Sequence, residues 1–147
     1  MYEIKEMQPE DLDEVAELEK EIFSTPWSRK GFEDALKQEA VCYLVVRENG
    51  VLAGYCGLIR SFDEADITNV AVSPLFRNRG IAQAMLQRLM EQGEKKGIFN
   101  YTLEVRAGNA PALRVYEKLG FESVGIRPRF YEKPVEDAVI MWKYGEK

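Results

Sequence analysis

Apolar and polar residues alternate along this chain with two different periods, and each change of period marks an element. Tyr2, Ile4 and Glu6 alternate with Glu3, Lys5 and Met7, which predicts a short strand. Leu12, Val15, Leu18 and Ile22 then recur at helical spacing. Pro9, Glu10 and Asp11 just ahead suit a first helical turn, where proline sacrifices no hydrogen bond and acids meet the positive end of the helix dipole. Ser24-Thr25-Pro26-Trp27 breaks that helix, and Ser28 is placed to cap a second, short one with Phe32, Ala35 and Leu36 inward. Val41 to Arg47 and Val51 to Ile59 are rich in β-branched and aromatic residues, and Asn49-Gly50 between them predicts a hairpin. A third strand is expected from about Asp66 to Val72, stopped by Ser73-Pro74. Ile81 to Lys96 carries Ile81, Met85, Leu86, Leu89 and Met90 on one side and ends at a C-capping Gly97, the clearest helical pattern in the chain.

Tyr101, Leu103 and Val105 alternate with Thr102, Glu104 and Arg106, which predicts another strand. Asn109 can cap a short helix with Pro111 in its first turn, Val115 and Leu119 inward, and Gly120 past its end. Phe121 to Ile126 and Ala138 to Tyr144 read as two last strands around a polar loop. The order is strand, two helices, three strands, helix, strand, helix, two strands. It implies the α+β class, with a mixed sheet of about seven strands and about four helices packed on it.

Composition narrows the chemistry. A chain of 147 residues with 46% apolar and 31% charged residues is expected to form one domain over residues 1–147. Unbroken apolar stretches such as Val41 to Val46 are too short to span a bilayer, and the start lacks the apolar core of a signal peptide, so a cytoplasmic protein without a membrane partner is expected. Histidine is absent, which removes the Ser-His-Asp and Cys-His nucleophile systems and His-based zinc sites. Cys42 and Cys56 cannot complete a four-cysteine metal site and lie in strand-like runs as small hydrophobes, so no metal is expected. The net charge of −5 argues against direct nucleic-acid binding. It is unevenly spread: residues 1–21 hold nine acids and two bases, residues 77–118 eight bases and four acids. A localised anionic ligand fits that middle section.

The segment Asn69 to Ala82 contains the candidate site. A strand ends, a turn follows, and Arg77-Asn78-Arg79-Gly80-Ile81-Ala82 opens the strongest helix. A helix start offers about four unpaired N–H groups and roughly half a positive charge. Gly80 permits close approach, Ala82 is small, and Arg77 and Arg79 add charge, so the segment reads as a phosphate or pyrophosphate cradle. No Gly-Lys-Ser/Thr follows, and the spaced glycines of a dinucleotide fingerprint are missing.

This segment resembles the acetyl-CoA pyrophosphate loop, Arg/Gln-x-x-Gly-x-Gly/Ala, of the Gcn5-related N-acetyltransferases. Asn109-Ala110-Pro111-Ala112 through Tyr116 to Gly120-Phe121, after Leu103 to Arg106, resembles the family's second cofactor block. Pro26-Trp27-Ser28, Leu103 to Arg106 and the tail Arg127 to Met141 are similar to the branch that acetylates the N-terminal alanine of small-subunit ribosomal protein eighteen. The resemblance runs from the first strand to Lys143, with Ala82 where many members have glycine. It implies the acyl-CoA N-acyltransferase fold, acetyl-CoA as co-substrate and an N-terminal peptide of a ribosomal protein as acceptor. Val70, Ala71 and Val72 would offer backbone groups to pantetheine and thioester, residues 77–82 would hold the pyrophosphate, and Asn109 would bind further along the cofactor. Phe23, Pro26, Trp27 and Tyr131 become candidates for the peptide, with Tyr131 in the polar loop and Trp27 equally able to be core.

The reaction implied is direct attack of a neutral amine on the thioester. Glu104, opposite Leu103 and Val105, is the expected base, taking a proton directly or through water, unless it is only a surface glutamate paired with Arg106 or Lys118. Tyr116 is the expected acid toward the departing sulfur. Other acceptors (other protein N-termini, polyamines, antibiotics), a non-catalytic CoA-binding module and a ribosome-binding protein without chemistry stay open.

Overall fold

The computed structural model describes residues 2–145, so the ends of the expected 1–147 span, Met1, Glu146 and Lys147, lie outside the described residues. The elements are β1 (Tyr2–Glu6), α1 (Leu12–Ile22), α2 (Arg29–Leu36), β2 (Val41–Glu48), β3 (Val51–Ser61), β4 (Glu64–Val72), α3 (Ile81–Lys95), β5 (Asn100–Arg106), α4 (Ala110–Lys118), β6 (Glu122–Tyr131) and β7 (Glu136–Tyr144). The expected mixed sheet of seven strands with four α-helices is what forms. Pro9–Asp11 makes a 3-10 turn into α1, where the Gln8 backbone N–H donates to the Asp11 carboxylate at 2.8 Å. The Ser28 hydroxyl accepts from the Gly31 N–H at 3.0 Å, the cap expected for α2. Asn49 and Gly50 both have positive φ, 53° and 81°, as a tight two-residue hairpin turn demands.

The strands lie in the order β1-β2-β3-β4-β5-β7-β6. Every neighbouring pair is antiparallel except β4 and β5, which are parallel and joined through α3. Side chains alternate across the sheet, so two cores form. Leu44, Val46, Cys56, Leu58, Leu103 and Val105 pack under α3 and α4 on one face. Tyr43, Val45, Tyr55 and Ala71 pack under α1 and α2 on the other.

Two features of β4 shape the site. Gly57 pairs with Asn69 and Leu58 with Ile67, leaving Thr68 as an extra residue, a β-bulge. A bulge bends its strand and reverses the alternation that follows. The β4–β5 ladder also stops early: only Glu64, Ala65 and Asp66 pair, with Asn100, Tyr101 and Thr102. Beyond them β4 stays with β3 and β5 stays with β7, so the sheet opens like a V between them.

The last hairpin departs from expectation. β6 does not end near Ile126 but runs to Tyr131, opposite Glu136, with register irregularities at Ser123/Gly125 and Arg127/Tyr131. Polar Arg127 and Arg129 hide this continuation in the sequence, while β7 supplies the partners that sustain it. Tyr131 therefore ends a strand and does not lie in a polar loop.

Gly57 tests how tightly the bulge region is packed. A Cβ there would overlap the ring of Tyr43, which is 4% exposed and tethered by its hydroxyl to Asn69 at 2.7 Å. Gly57→Ala is expected to destabilise the fold by about 1–3 kcal/mol, measured by urea unfolding.

Candidate active site

A cavity of about 670 Å³ occupies the V and extends to the α1–α2 connection and the β6–β7 hairpin. Its walls bring together Glu104, Tyr116, Val70, Arg77, Asn109, Phe23, Trp27 and Tyr131, all expected from sequence. Pro26, Ala71, Val72 and residues 78–82 are not among its lining.

The two chemical candidates stand on opposite faces of the opened sheet. Leu103 and Val105 belong to the core under α3 and α4, so strand alternation puts Glu104 on the α1–α2 face. The Glu104 carboxylate pairs with Arg127 at 3.0 Å, not with Arg106 or Lys118. Arg106 instead pairs with Glu136 at 3.1 Å and lies over the Tyr131 ring at 4.5 Å. Tyr116, from α4, is buried on the other face with its ring edge against Phe121. Burial pushes its phenol well above the usual tyrosine range. The Tyr131 phenol is also raised, first by burial and then by the charge of Glu104.

At the far end of β4 the chain turns through Pro74–Phe76 into α3. Asn78 and Gly80 adopt the left-handed conformation, φ 63° and 74°, and a Cβ built on Gly80 would meet open space. No side chain caps α3, and its first turn holds no acid. The leading N–H groups of this helix are therefore available, with the positive dipole end uncompensated. Ile81 is buried core and Ala71 is buried under α1 and α2, so each can offer only its backbone. The Arg77 Nε donates to the Val72 carbonyl at 3.3 Å. Arg79 is less free than the sequence suggests: it pairs with Glu48 at 2.8 Å and lies over Phe76. Asn109 accepts from the Ala112 N–H at 3.3 Å, the expected cap of α4.

Phe23 and Trp27 form the α1–α2 wall. Trp27 is 38% exposed and also packs on Phe32 with ring centroids 5.3 Å apart, so it is both wall and core edge. Beneath this wall lies a polar group that sequence reasoning missed. The bulge turns Thr68 and Asn69 to the same face: the Tyr43 hydroxyl and the Thr68 hydroxyl both donate to Asn69 Oδ1, at 2.7 and 2.8 Å. Glu19 of α1, 3% exposed, accepts from the Tyr55 hydroxyl and, at 3.0 Å, from the Trp27 backbone N–H. The signal for Glu19 was present: it lies four residues after Val15 and seven after Leu12, a carboxylate on the apolar stripe. Cys42 and Cys56 do not line the cavity; Cys56 is fully buried, which pushes its thiol up.

The sheet splits at its one parallel pair and an uncapped helix N-terminus lies beyond the split, and comparison with known proteins assigns this arrangement to a family. The acetyltransferase (GNAT) family description matches residues 12–121, and the chain belongs to that family. It is an N-acetyltransferase. A Bacillus subtilis (strain 168) relative is 37% identical over 140 residues, 95% of this chain and 93% of the relative. The ribosomal protein bS18-alanine N-acetyltransferase of Escherichia coli (strain K12) is 34% identical over 143 residues, 96% of each chain. The crystal structure of the E. coli ribosomal-protein-S18-alanine N-acetyltransferase superposes with a TM-score of 0.92 at 33% identity, covering all of this chain and 96% of that one. The PaiA N-acetyltransferase of Thermoplasma acidophilum, solved with coenzyme A, shares the fold at a TM-score of 0.80 and 20% identity, covering 98% and 99% of the two chains.

The tyrosines give a test of the burial around the site. Tyr43 is pushed up to about 12, and Tyr55, Tyr101 and Tyr116 higher, chiefly by burial. Raised folded-state phenols contribute stability that is complete below the unfolded value near 10 and is lost as pH rises through about 12. Tyrosinate absorbance from these four is expected to develop together with loss of far-ultraviolet dichroism, not before it.

Proposed function

We propose that this enzyme acetylates the α-amino group of an N-terminal alanine, with small-subunit ribosomal protein eighteen as its acceptor. Supporting the acceptor is the 34% identity over 96% of the chain to the E. coli enzyme of that activity. Supporting the chemistry is one observation: Glu104 and Tyr116 line the same cavity from opposite faces of the split sheet. An acceptor can then enter from the α1–α2 face while the departing thiol leaves from the α3–α4 face.

Acetyl-CoA supplies the acetyl group as an activated thioester. Its pyrophosphate fits the uncapped α3 start, where the backbone of Gly80, Ile81 and Ala82 offers N–H groups and Arg77, Asn78 and Arg79 surround them. The backbone of Val70 to Val72 and the side chain of Asn109 line the path of its arm. An N-terminal amine has a reference pKa near 7.7–8.0, so freeing it of its proton at neutral pH costs about 1 kcal/mol, against about 4–5 for lysine. Glu104 takes that proton. Its pair with Arg127 is no obstacle: the Arg127 side chain is 58% exposed, and such pairs contribute about 0–1 kcal/mol. Tyr116, kept neutral by burial, donates a hydrogen bond to the sulfur as negative charge develops there.

Mass spectrometry of N-terminal peptides, with and without the protein, tests the acceptor. An acetylated alanine terminus of the ribosomal protein is expected, with polyamines and lysine side chains left unmodified. Glu104→Gln is expected to lower kcat by about 10²–10⁴-fold. Tyr116→Phe is expected to lower kcat while leaving the KM for acetyl-CoA unchanged; an unaltered kcat removes the phenol from the mechanism.

A further inference from the structure

Three carboxylates line the cavity, and two have cationic partners. Glu104 pairs with Arg127 at 3.0 Å. Glu136 pairs with Arg106 at 3.1 Å and accepts from the Gly108 N–H at 2.7 Å. Glu19 is the most buried of the three, 3% exposed, yet no cation among the described residues pairs with it. A buried carboxylate without a counter-charge is costly to maintain. Its contacts do not require the charge, since the Trp27 N–H and the Tyr55 hydroxyl need only an oxygen acceptor. A carboxylate has about four acceptor directions, and these two donors use half of them.

Its placement supplies the missing partner. Glu19 comes from α1, on the sheet face that Glu104 also occupies, and Trp27, which it tethers, is part of the cavity wall. The substrate reaching that face is an amine, and an N-terminal amine is mostly a cation at neutral pH. We propose that Glu19 is the recognition group for the charged α-ammonium of the acceptor: it holds the incoming terminus in the cavity before Glu104 removes the proton. This rests on the amine-acceptor reading above and adds to it the residue that selects a terminus bearing a free amine. It also gives the Tyr55 and Trp27 contacts a role, which is to fix the carboxylate toward the cavity.

The test pairs a change in the protein with a change in the ligand. Two peptides are used, one beginning with alanine and one identical but lacking the α-nitrogen, each titrated calorimetrically into the CoA-saturated enzyme near pH 6, about where the terminus is charged. The wild-type enzyme is expected to bind the amine peptide about tenfold more tightly. In Glu19→Gln that preference should fall to about twofold or less, with CoA affinity unchanged, whereas Glu19→Asp should retain part of it. Glu104→Gln should keep the preference, because Glu104 already has Arg127. Equal binding of the two peptides by the wild type, an undiminished preference in Glu19→Gln, or its loss in Glu104→Gln overturns the proposal. The first and third comparisons decide it even where Glu19→Gln does not fold. Acetyl transfer to the amine peptide is followed in parallel: transfer without preference sinks this inference alone, while absence of transfer sinks the acceptor reading as well.

Discussion

The molecule depends on where one hydrogen-bond ladder stops. Parallel pairing of β4 and β5 ends after Asp66 and Thr102, and the two strands then follow different neighbours. Backbone N–H and C=O groups are strongly driven to find partners, so the facing edges left open beyond the split present donors and acceptors to whatever enters. The bulge at Thr68 lies two residues past the last pair, where extra bend and twist carry β4 away from β5. A sheet that continued to pair would have been better satisfied internally and would have had no cavity.

The split also separates two kinds of chemistry. Strand alternation sends Glu104 to the face of α1 and α2, while Tyr116 reaches the opening from α4 on the other. Carboxylate and phenol thus meet opposite ends of one passage. Their surroundings differ accordingly. Glu104 sits near solvent with an exposed counter-ion, which suits the proton exchange proposed for it. Tyr116 sits in packed apolar surroundings that keep its proton in place. Beyond the passage, the uncapped start of α3 is the complementary device. Gly80 accepts the left-handed turn, and no acid or side-chain cap occupies the positive end of a fifteen-residue helix.

Local signals were legible wherever the physics is local. The capping hydroxyl of Ser28, the Asn49-Gly50 turn, the cap of Asn109 and the stripe of α3 each act within a few residues, and each formed as read. The reading failed where the deciding partner is distant in sequence. β6 continues to Tyr131 because β7 offers a ladder, although Arg127 and Arg129 look like loop. Arg79 is drawn toward Glu48, thirty-one residues away, and Glu104 pairs with Arg127, not with Arg106 two residues along, which pairs with Glu136 instead.

The sequence by itself determined the elements apart from the reach of β6, the alternation that aims Glu104 away from Leu103 and Val105, and the exposed helix start at Gly80, because these follow from backbone conformation and side-chain period alone. Only the tertiary structure decided that the sheet splits after Asp66, that Thr68 is a bulge, and that Glu19 is buried beside Trp27 and Tyr55. A bulge or the end of a ladder is a property of two strands together. The apolar stripe of α1 carries Glu19 in the sequence, but which groups enclose that acid is set by the segments that pack over it.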